Sequence, residues 1–125
     1  MAANLVITAI QGPPNKKLLN NEWIELHNTG DAPFNGEGCS ISVARGGARP
    51  KVITTMKAGL VMQPDERVRL VSGSPGKKSQ GEAPEDDQAR NFFLFLKAPY
   101  LDRPNVTVRL VSGQRELCRT SFPQQ

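Results

Sequence analysis

The sequence predicts an all-β sandwich that forms one domain over residues 1–125. Short apolar runs rich in β-branched residues are separated by turn residues, and the chain contains 11 glycines and 10 prolines that divide it at short intervals. Polar and apolar residues alternate within several runs, as in strands that bury one face. No window has the sustained apolar stripe and caps of a helix. A chain of this length buries a core without metal or disulfides.

Three extended segments are predicted at the start of the chain. Residues 4–10 contain the β-branched run LVITAI, which ends at a Gly-Pro-Pro-Asn sequence. Residues 22–28 alternate between polar and apolar types, and the Asn-Thr-Gly-Asp sequence at 28–31 supplies a turn. Residues 32–34 are a short extended piece before an Asn-Gly pair.

Four further segments are predicted in the middle of the chain. Residues 39–44, with the sequence CSISVA, end at a pair of glycines, and VITT at 52–55 is a short strand. Residues 60–62 precede a Gln-Pro-Asp-Glu turn in which the proline is well placed. Residues 67–72, RVRLVS, then alternate cleanly.

Three segments complete the predicted sandwich. The run FFLFLK at 92–97 is apolar on both faces, which is typical of a central, buried strand. Residues 105–112 alternate, and a tight Ser-Gly-Gln turn leads into a last strand at 116–122. The run VRLVSG occurs at both 68–73 and 108–113, and we interpret it as shared strand chemistry. About eight to nine strands are expected in all.

Residues 73–90 separate two of the predicted strands and differ from the rest of the chain. They are rich in Ser, Gly, Pro, Lys and Glu and contain no large apolar residue. They predict a long mobile loop. Such a loop either carries binding function or is a tolerated insertion.

The composition excludes several classes of protein. No apolar run approaches the ~18 residues that a membrane span needs. The first residues lack the basic and apolar regions of a signal peptide, so a cytoplasmic location is expected if the chain is complete. The two cysteines, Cys39 and Cys118, are compatible with one disulfide, but free buried thiols are favoured. With one histidine and no CxxC motif, no metal or other cofactor is expected.

The sequence favours a protein that is not an enzyme. His27 is the only imidazole, and no serine has the surroundings of a nucleophile elbow. Cys39 and His27 form a Cys/His pair on predicted neighbouring strands, with no cleft implied. The carboxylates Asp86 and Asp87 lie in the predicted loop, which would not hold a catalytic geometry. No catalytic residue is therefore predicted.

The segment at residues 22–28 offers a candidate contact surface. By alternation, Ile24 and Leu26 enter the core, whereas Trp23, Glu25 and His27 lie on the other face. An exposed Trp-Glu-His row would suit a partner, with the tryptophan as anchor. The favoured alternative is that a loop or a neighbouring strand covers the tryptophan, while the glutamate and the histidine pair with nearby charges.

The positive charge of the chain offers a second candidate surface. The formal net charge is +4, and the pI is near 9.4. The basic residues form no tight cluster, which favours an ordinary solvated surface. If the chain binds nucleic acid, Arg67, Arg69 and Arg109 would form an outward row that contacts phosphates. Further cations are expected on loops, at Lys77 and Lys78 and also at Lys16, Lys17, Arg45, Arg49 and Lys51.

The run NEWIELHNTGDAPFNGEGCSIS at residues 21–42 resembles the opening of a lamin tail domain. This family, found in nuclear lamins and in many bacterial and archaeal proteins, has a strand of the form E-W-(I/V)-E-(I/L)-x-N and then a G-D-x-P turn. Residues 22–28 and 30–33 match those motifs. Later segments at 56–60, 63–68, 93–94 and 106–110 fit the family's remaining strands. Cys39 replaces the family's common tryptophan, and Met62 replaces a leucine.

The resemblance implies an immunoglobulin-like β-sandwich of the lamin tail type. It also implies a non-catalytic module that docks to a protein or cell-structure partner. Nucleic-acid binding is the alternative, because lamin tails are also linked to chromatin. The absence of aromatic residues among the basic ones disfavours single strands.

Overall fold

The protein has an all-β fold. The structure is a computed structural model, and it describes residues 3–56, 60–85 and 87–122. The strands within these residues are β1 (Leu5–Gln11), β2 (Trp23–Asn28), β3 (Phe34–Asn35), β4 (Cys39–Arg45), β5 (Lys51–Thr55), β6 (Val61–Met62), β7 (Arg67–Val71), β8 (Arg90–Phe93), β9 (Val106–Ser112) and β10 (Arg115–Phe122). Two short 3₁₀ helices lie at Leu19–Asn21 and Lys78–Gln80.

Two four-stranded sheets form the body of the sandwich. The first has the order β1-β2-β7-β8 and the second the order β10-β9-β4-β5. All pairings are antiparallel except that of β7 with β8, which is parallel. The short strands β3 and β6 pair with each other as a small third sheet. Among the described residues, β5 and β10 are the edges of the second sheet.

A single apolar core joins the two sheets. Ile24 and Leu26 of β2 are completely buried, as the alternation predicts, and they belong to the same cluster as Ile41 of β4 and Leu110 of β9. Such burial is the main stabilising contribution in a sandwich, at about 25 cal/mol per Å² of apolar surface. The prediction of an all-β sandwich is confirmed.

The strand count and one strand's position differ from the sequence prediction. The described residues form ten strands rather than about eight to nine, because the two short extended pieces pair as β3 and β6. Residues 92–97 were expected to form a central buried strand, and this prediction is wrong. β8 ends at Phe93 and lies at the edge of its sheet. Phe95 has a φ of 55° and is 64% exposed, so the chain turns away there.

The described part of segment 73–90 is attached to the first sheet. The Asn20 side-chain amide donates hydrogen bonds to the carbonyl oxygens of Ser74 (2.9 Å) and Gly81 (3.0 Å). The Asn91 amide donates to the Pro84 carbonyl oxygen at 2.7 Å. The mobility of this segment stays a prediction. No helix in the described ranges is long and apolar enough to cross a membrane.

Candidate functional site

A buried carboxylate stands at the start of the strand that resembles the lamin tail motif. Glu22, directly before β2, is completely buried. Its carboxylate accepts hydrogen bonds from the Ser72 hydroxyl at 2.5 Å and from the backbone N–H groups of Tyr100 and Leu101, the latter at 2.9 Å. Burial raises the pKa of this carboxyl, and the hydrogen bonds partly oppose the rise. Glu22 therefore ties β2 to the end of β7 and to the chain before β9.

Asn28, at the other end of β2, organises the turn that follows. Its side-chain oxygen accepts hydrogen bonds from the backbone N–H groups of Asn4 (3.2 Å) and Gly30 (3.1 Å). Its amide donates to the carbonyl oxygens of Ala32 (3.0 Å) and Met62 (3.3 Å). Since an Asx side chain can replace backbone partners in a turn, this explains an asparagine at the end of the strand. The motif's polar ends thus serve the fold.

Parts of the two candidate surfaces predicted from the sequence meet on the face of the first sheet that is opposite Ile24 and Leu26. The antiparallel register places Glu25 beside Arg69 and His27 beside Arg67. One Glu25 oxygen lies 3.3 Å from Arg69 Nε, and the other lies 3.7 Å from an Arg67 Nη atom. The Arg69 guanidinium lies 5.2 Å from the centre of the Trp23 ring, a cation–π contact. The carboxylate therefore offsets the charges proposed for phosphate contacts.

Burial corrects part of the surface prediction. Alternation places Glu25 and Arg69 on an exposed face, but they are 2% and 5% exposed, respectively. The reason is that other polar groups enclose them: the Thr8 hydroxyl donates to Glu25 at 2.7 Å, and the Gln88 amide lies 3.4 Å from the same carboxylate. A buried charge persists only when it is paired in this way. These two side chains are inside the protein.

His27 and Trp23 are the half-buried members of this face. His27 Nε2 lies 2.8 Å from Oδ1 of Asp65, whose side chain is 94% exposed. Trp23 is half-buried in contact with Arg69. The pairing of His27 and Glu25 with nearby charges is the alternative that the sequence favours. Trp23 and His27 keep some accessible surface, so a contact role for them stays a prediction.

The three arginines do not form the single row that the sequence predicts. Arg109 lies in β9 of the second sheet, whereas Arg67 and Arg69 lie in β7 of the first. The prediction failed because alternation along a strand does not say which sheet the strand joins. Arg109 Nε lies 3.2 Å from Glu116 Oε1 in the neighbouring β10, and the other oxygen of Glu116 lies 3.4 Å from Arg119 Nε.

Lys77 and Lys78 lie at the 3₁₀ helix of segment 73–90. Both are exposed, and Lys78 lines an open cleft of about 580 Å³ together with Glu82 and Glu85. The charges of these lining groups are of mixed sign. The buried side-chain oxygen of Asn20 also borders the cleft, but it packs against the Gly73 backbone, where an added Cβ would lie 2.1 Å from it. The cleft therefore presents no concentrated charge to a ligand.

Cys39 and His27, the Cys/His pair of the sequence analysis, do not lie on neighbouring strands. β2 and β4 belong to different sheets, so the expectation of adjacent strands is wrong. Cys39 and Cys118 are free thiols, and burial raises the pKa of each, that of Cys118 to about 12. Among the described residues, no group of three or more His, Cys, Asp or Glu side chains could hold a metal ion. Asp86 lies outside the described residues.

An open groove lies beside β5, at the opposite edge of the second sheet from β10. Its volume is about 310 Å³. One wall is Lys51–Ile53 of β5, the other is residues 96–100, and Val43 and Arg45 contribute from β4. We call it the β5 groove. Among the described residues β5 pairs with β4 alone, so one side of its backbone has no strand partner. Val52 is 58% exposed beside this free edge.

The β5 groove combines apolar and positively charged groups. The residues that line it include the apolar Val52, Ile53 and Leu96 and the cations Lys51 and Lys97. The third cation, Arg45, lies 3.5 Å from Asp102 and keeps 43% of its side chain exposed. In the part of the chain that the structure describes, no carboxylate lines the groove. The groove therefore presents positive charge next to an open strand.

Phe95 directly precedes the wall of the groove and projects into solvent. Its left-handed backbone is uncommon for an aromatic residue. Two hydrogen bonds hold this turn, from the Phe95 N–H to the Gly73 carbonyl oxygen (3.1 Å) and from the Leu96 N–H to the Ser72 carbonyl oxygen (2.7 Å). A large apolar side chain held outward in this way suits contact with another molecule.

The sequence predicted the type of some residues at the β5 groove but not where they lie in the fold. Arg45 and Lys51 were predicted as loop cations, but they lie at the end of β4 and the start of β5. Val52 was assigned to a short strand with nothing to indicate an edge. Phe95 and Lys97 were assigned to a buried strand. The positive φ of Phe95 has no sequence signal, because no glycine or asparagine stands there.

Known proteins give no further identification. No protein-family model matches the chain, and no curated protein has significant sequence similarity to it. The lamin tail resemblance therefore depends on the residues of the motif itself.

Proposed function

We propose that this protein is a non-catalytic binding module of the lamin tail type, an immunoglobulin-like β-sandwich that docks to a protein partner at the β5 groove. One observation carries the proposal. The free edge of β5, with Val52 58% exposed, borders a groove that also contains apolar and charged side chains. Unpaired N–H and C=O groups on an edge strand can be completed by an incoming strand, which is a recurring mode of peptide recognition.

The alternation of side chains on an added strand explains how specificity would arise at this site. Main-chain hydrogen bonds supply affinity that does not depend on sequence, and every second side chain of the partner would face the groove. The apolar groups Val52 and Leu96 offer contact area, and Lys51 and Lys97 select charge. The support for the lamin tail type is the motif of residues 22–33, whose polar members organise the ends of β2.

Protein docking is favoured over the alternative, nucleic-acid binding. Of the five predicted phosphate contacts, Arg67 and Arg69 lie beside the Glu25 carboxylate and Arg109 lies beside Glu116. Lys77 and Lys78 are exposed, but Glu82 and Glu85 border the cleft that Lys78 lines. Phosphate binding depends on cations that can replace condensed counterions, so pairing with carboxylates weakens it.

A random-peptide selection tests the proposal. The protein is immobilised, bound peptides are recovered, and the affinity of each is measured for the wild type and for Val52→Ser. The matched control is Val6→Ser, because Val6 is 37% exposed on the edge strand β1 of the other sheet. We expect peptides whose affinity falls about tenfold with Val52→Ser, the loss of about 1.4 kcal/mol, and is unchanged by Val6→Ser.

Two outcomes would overturn the proposal. The first is a selection in which no recovered peptide depends on Val52. The second is binding of a labelled DNA duplex at about 50 mM salt that is tighter than any peptide affinity, since the phosphate contribution is strongest at low salt. The second result would make nucleic acid the partner.

A further inference from the structure

We infer that the β5 groove takes an extended acidic peptide, which adds to β5 as a strand and places its carboxylates beside Lys51 and Lys97. This inference rests on the proposed function, because it names the chemistry of the partner at the same groove. Three observations carry it: the free edge, the sign of the charges around it, and the apolar residues at the same groove.

The free edge sets the shape and length of the ligand. β5 extends over the five residues Lys51–Thr55. At about 3.3 Å per residue, a partner strand of five to seven residues would cover it. Extended backbone is the only conformation that completes an edge over that distance, so a helical partner would leave the β5 N–H and C=O groups unsatisfied.

The charges set the composition of the ligand. The charged residues that line the groove are Arg45, Lys51 and Lys97, and within the described ranges no carboxylate lines it. Arg45 lies beside Asp102, whereas Lys51 and Lys97 are exposed and make no ion pair within the described residues. Bringing carboxylates to two unpaired ammonium groups is favourable, and a basic partner would be repelled at the same positions.

The apolar groups favour a peptide over a nucleic-acid strand. Val52 and Leu96 line the same groove as the cations, and Phe95 projects from the turn beside it. An extended peptide of alternating residues presents carboxylates on one face and apolar side chains on the other, so a single strand added to β5 can offer both kinds of group. A phosphate backbone would set repeated charges against the exposed Val52 and would leave the strand edge unpaired. The predicted ligand therefore alternates acidic and apolar residues.

Fluorescence anisotropy with defined peptides tests this inference. The probes are fluorescein-labelled octapeptides of alternating Asp and Val, of alternating Ser and Val, and of alternating Lys and Val. The test variant carries Lys51→Glu and Lys97→Glu. The matched control carries Lys16→Glu and Lys17→Glu, which changes the net charge equally at two exposed positions outside the groove.

We expect the Asp-Val peptide to bind most tightly and the Lys-Val peptide most weakly. The test variant should weaken Asp-Val binding about tenfold, because two exposed ion pairs are lost and replaced by repulsion. The control should change it about twofold or less, because Lys16 and Lys17 do not line the groove and exposed charges are screened by salt.

The outcomes separate this inference from the proposed function. If the Ser-Val peptide binds as tightly as Asp-Val and Val52→Ser weakens both, the preference for acidic residues is overturned and the docking site stands. If no octapeptide binds and the random selection recovers no peptide that depends on Val52, both are overturned. If a single-stranded DNA 12-mer displaces Asp-Val from the wild type but not from the test variant, the groove binds polyanions, and the peptide assignment is wrong.

Discussion

The six residues VRLVSG occur once in each sheet, at 68–73 in and after β7 and at 108–113 in and after β9. In both copies the first valine and the leucine are completely buried in the shared core. The arginine between them differs. Arg69 is 5% exposed beneath Trp23 and beside Glu25, whereas the side chain of Arg109 is 32% exposed and pairs with Glu116.

The serines at the ends of the two copies differ as well. Ser72 is completely buried and donates a 2.5 Å hydrogen bond to Glu22, whereas Ser112 is exposed at the turn before β10. Identical local sequence therefore determines a strand and its core-facing side chains. The environment of the outward side chains depends on what lies against each sheet: Gln88 lies beside Glu25 on the first sheet, and Glu22 accepts the hydrogen bond of Ser72.

The largest and most similar effects are expected at the two leucines. Leu70→Ala and Leu110→Ala should each lower the free energy of unfolding by about 3–5 kcal/mol, because both remove fully buried side chains and leave cavities. Urea denaturation measures both. A difference of more than about 2 kcal/mol between the two would show that the copies are not equivalent in the core.

The arginines should separate the copies. Arg69→Ala is expected to cost about 2–4 kcal/mol, because it leaves the buried Glu25 carboxylate with Arg67 as its remaining nearby arginine. Arg109→Ala should cost less than about 1 kcal/mol, since its ion pair with Glu116 is partly exposed. Equal losses in denaturation experiments would contradict the difference in environment that the structure describes.

The serines should show a smaller difference in the same direction. Ser72→Ala removes a buried hydrogen bond to a carboxylate and should cost about 1.5–3 kcal/mol. Ser112→Ala removes an exposed hydroxyl and should stay within about 0.5 kcal/mol. Thermal unfolding of the two variants under one buffer condition measures the difference, and a Ser112 variant as destabilised as the Ser72 variant would refute it.

The smallest expected effect is a pH dependence of stability. It arises at Glu22, which accepts the hydrogen bond of Ser72 in the first copy of VRLVSG. Burial raises the folded-state pKa of Glu22, so the folded protein holds this proton to higher pH than the unfolded chain. Protonated Glu22 therefore contributes to the stability of the fold at pH values below 4.5, the ordinary pKa of a glutamate. This contribution is lost as the pH rises from 4.5 through the folded-state pKa of Glu22. Glu22→Gln should remove this decline in a series of urea denaturations.

The pairing of Glu66 with Arg90 serves as an internal control for that series. Arg90 lowers the pKa of Glu66, so this pair contributes stability above 4.5 that is lost as pH falls through the folded pKa. The loss on the acid side should persist in Glu22→Gln. If the stability of Glu22→Gln also still falls as the pH rises above 4.5, Glu22 is not the source of that fall.

Much of the fold follows from local pattern, because alternation and turn residues report on the chain within a few positions. The strands around Ile24, Val68 and Val108 were predicted on this basis, and their inward side chains are buried. Alternation does not report which sheet a strand joins, so it placed Arg109 with Arg69. It also cannot distinguish a buried aromatic run from an edge strand followed by a turn, which is the error at Phe95.

The candidate site was less predictable than the fold because its parts are distant in sequence. The β5 groove forms between Lys51–Ile53 and residues 96–100, and no motif connects the two segments. By contrast, the distinctive residues 22–28 attract a functional interpretation, yet Glu22, Glu25 and Asn28 are buried and hydrogen-bonded within the fold. A distinctive motif can therefore reflect the requirements of the fold, while the residues of the accessible contact surface show no distinctive sequence pattern.

The most direct test of the binding surface is a backbone-amide NMR titration of the wild-type protein with the Asp-Val octapeptide. We expect the largest shift changes at the amides of Lys51–Thr55 and of residues 96–98, and small changes at Trp23, His27 and Arg67. Shift changes concentrated at Trp23, His27 and Arg67, with β5 unchanged, would contradict the assignment of the β5 groove as the docking site.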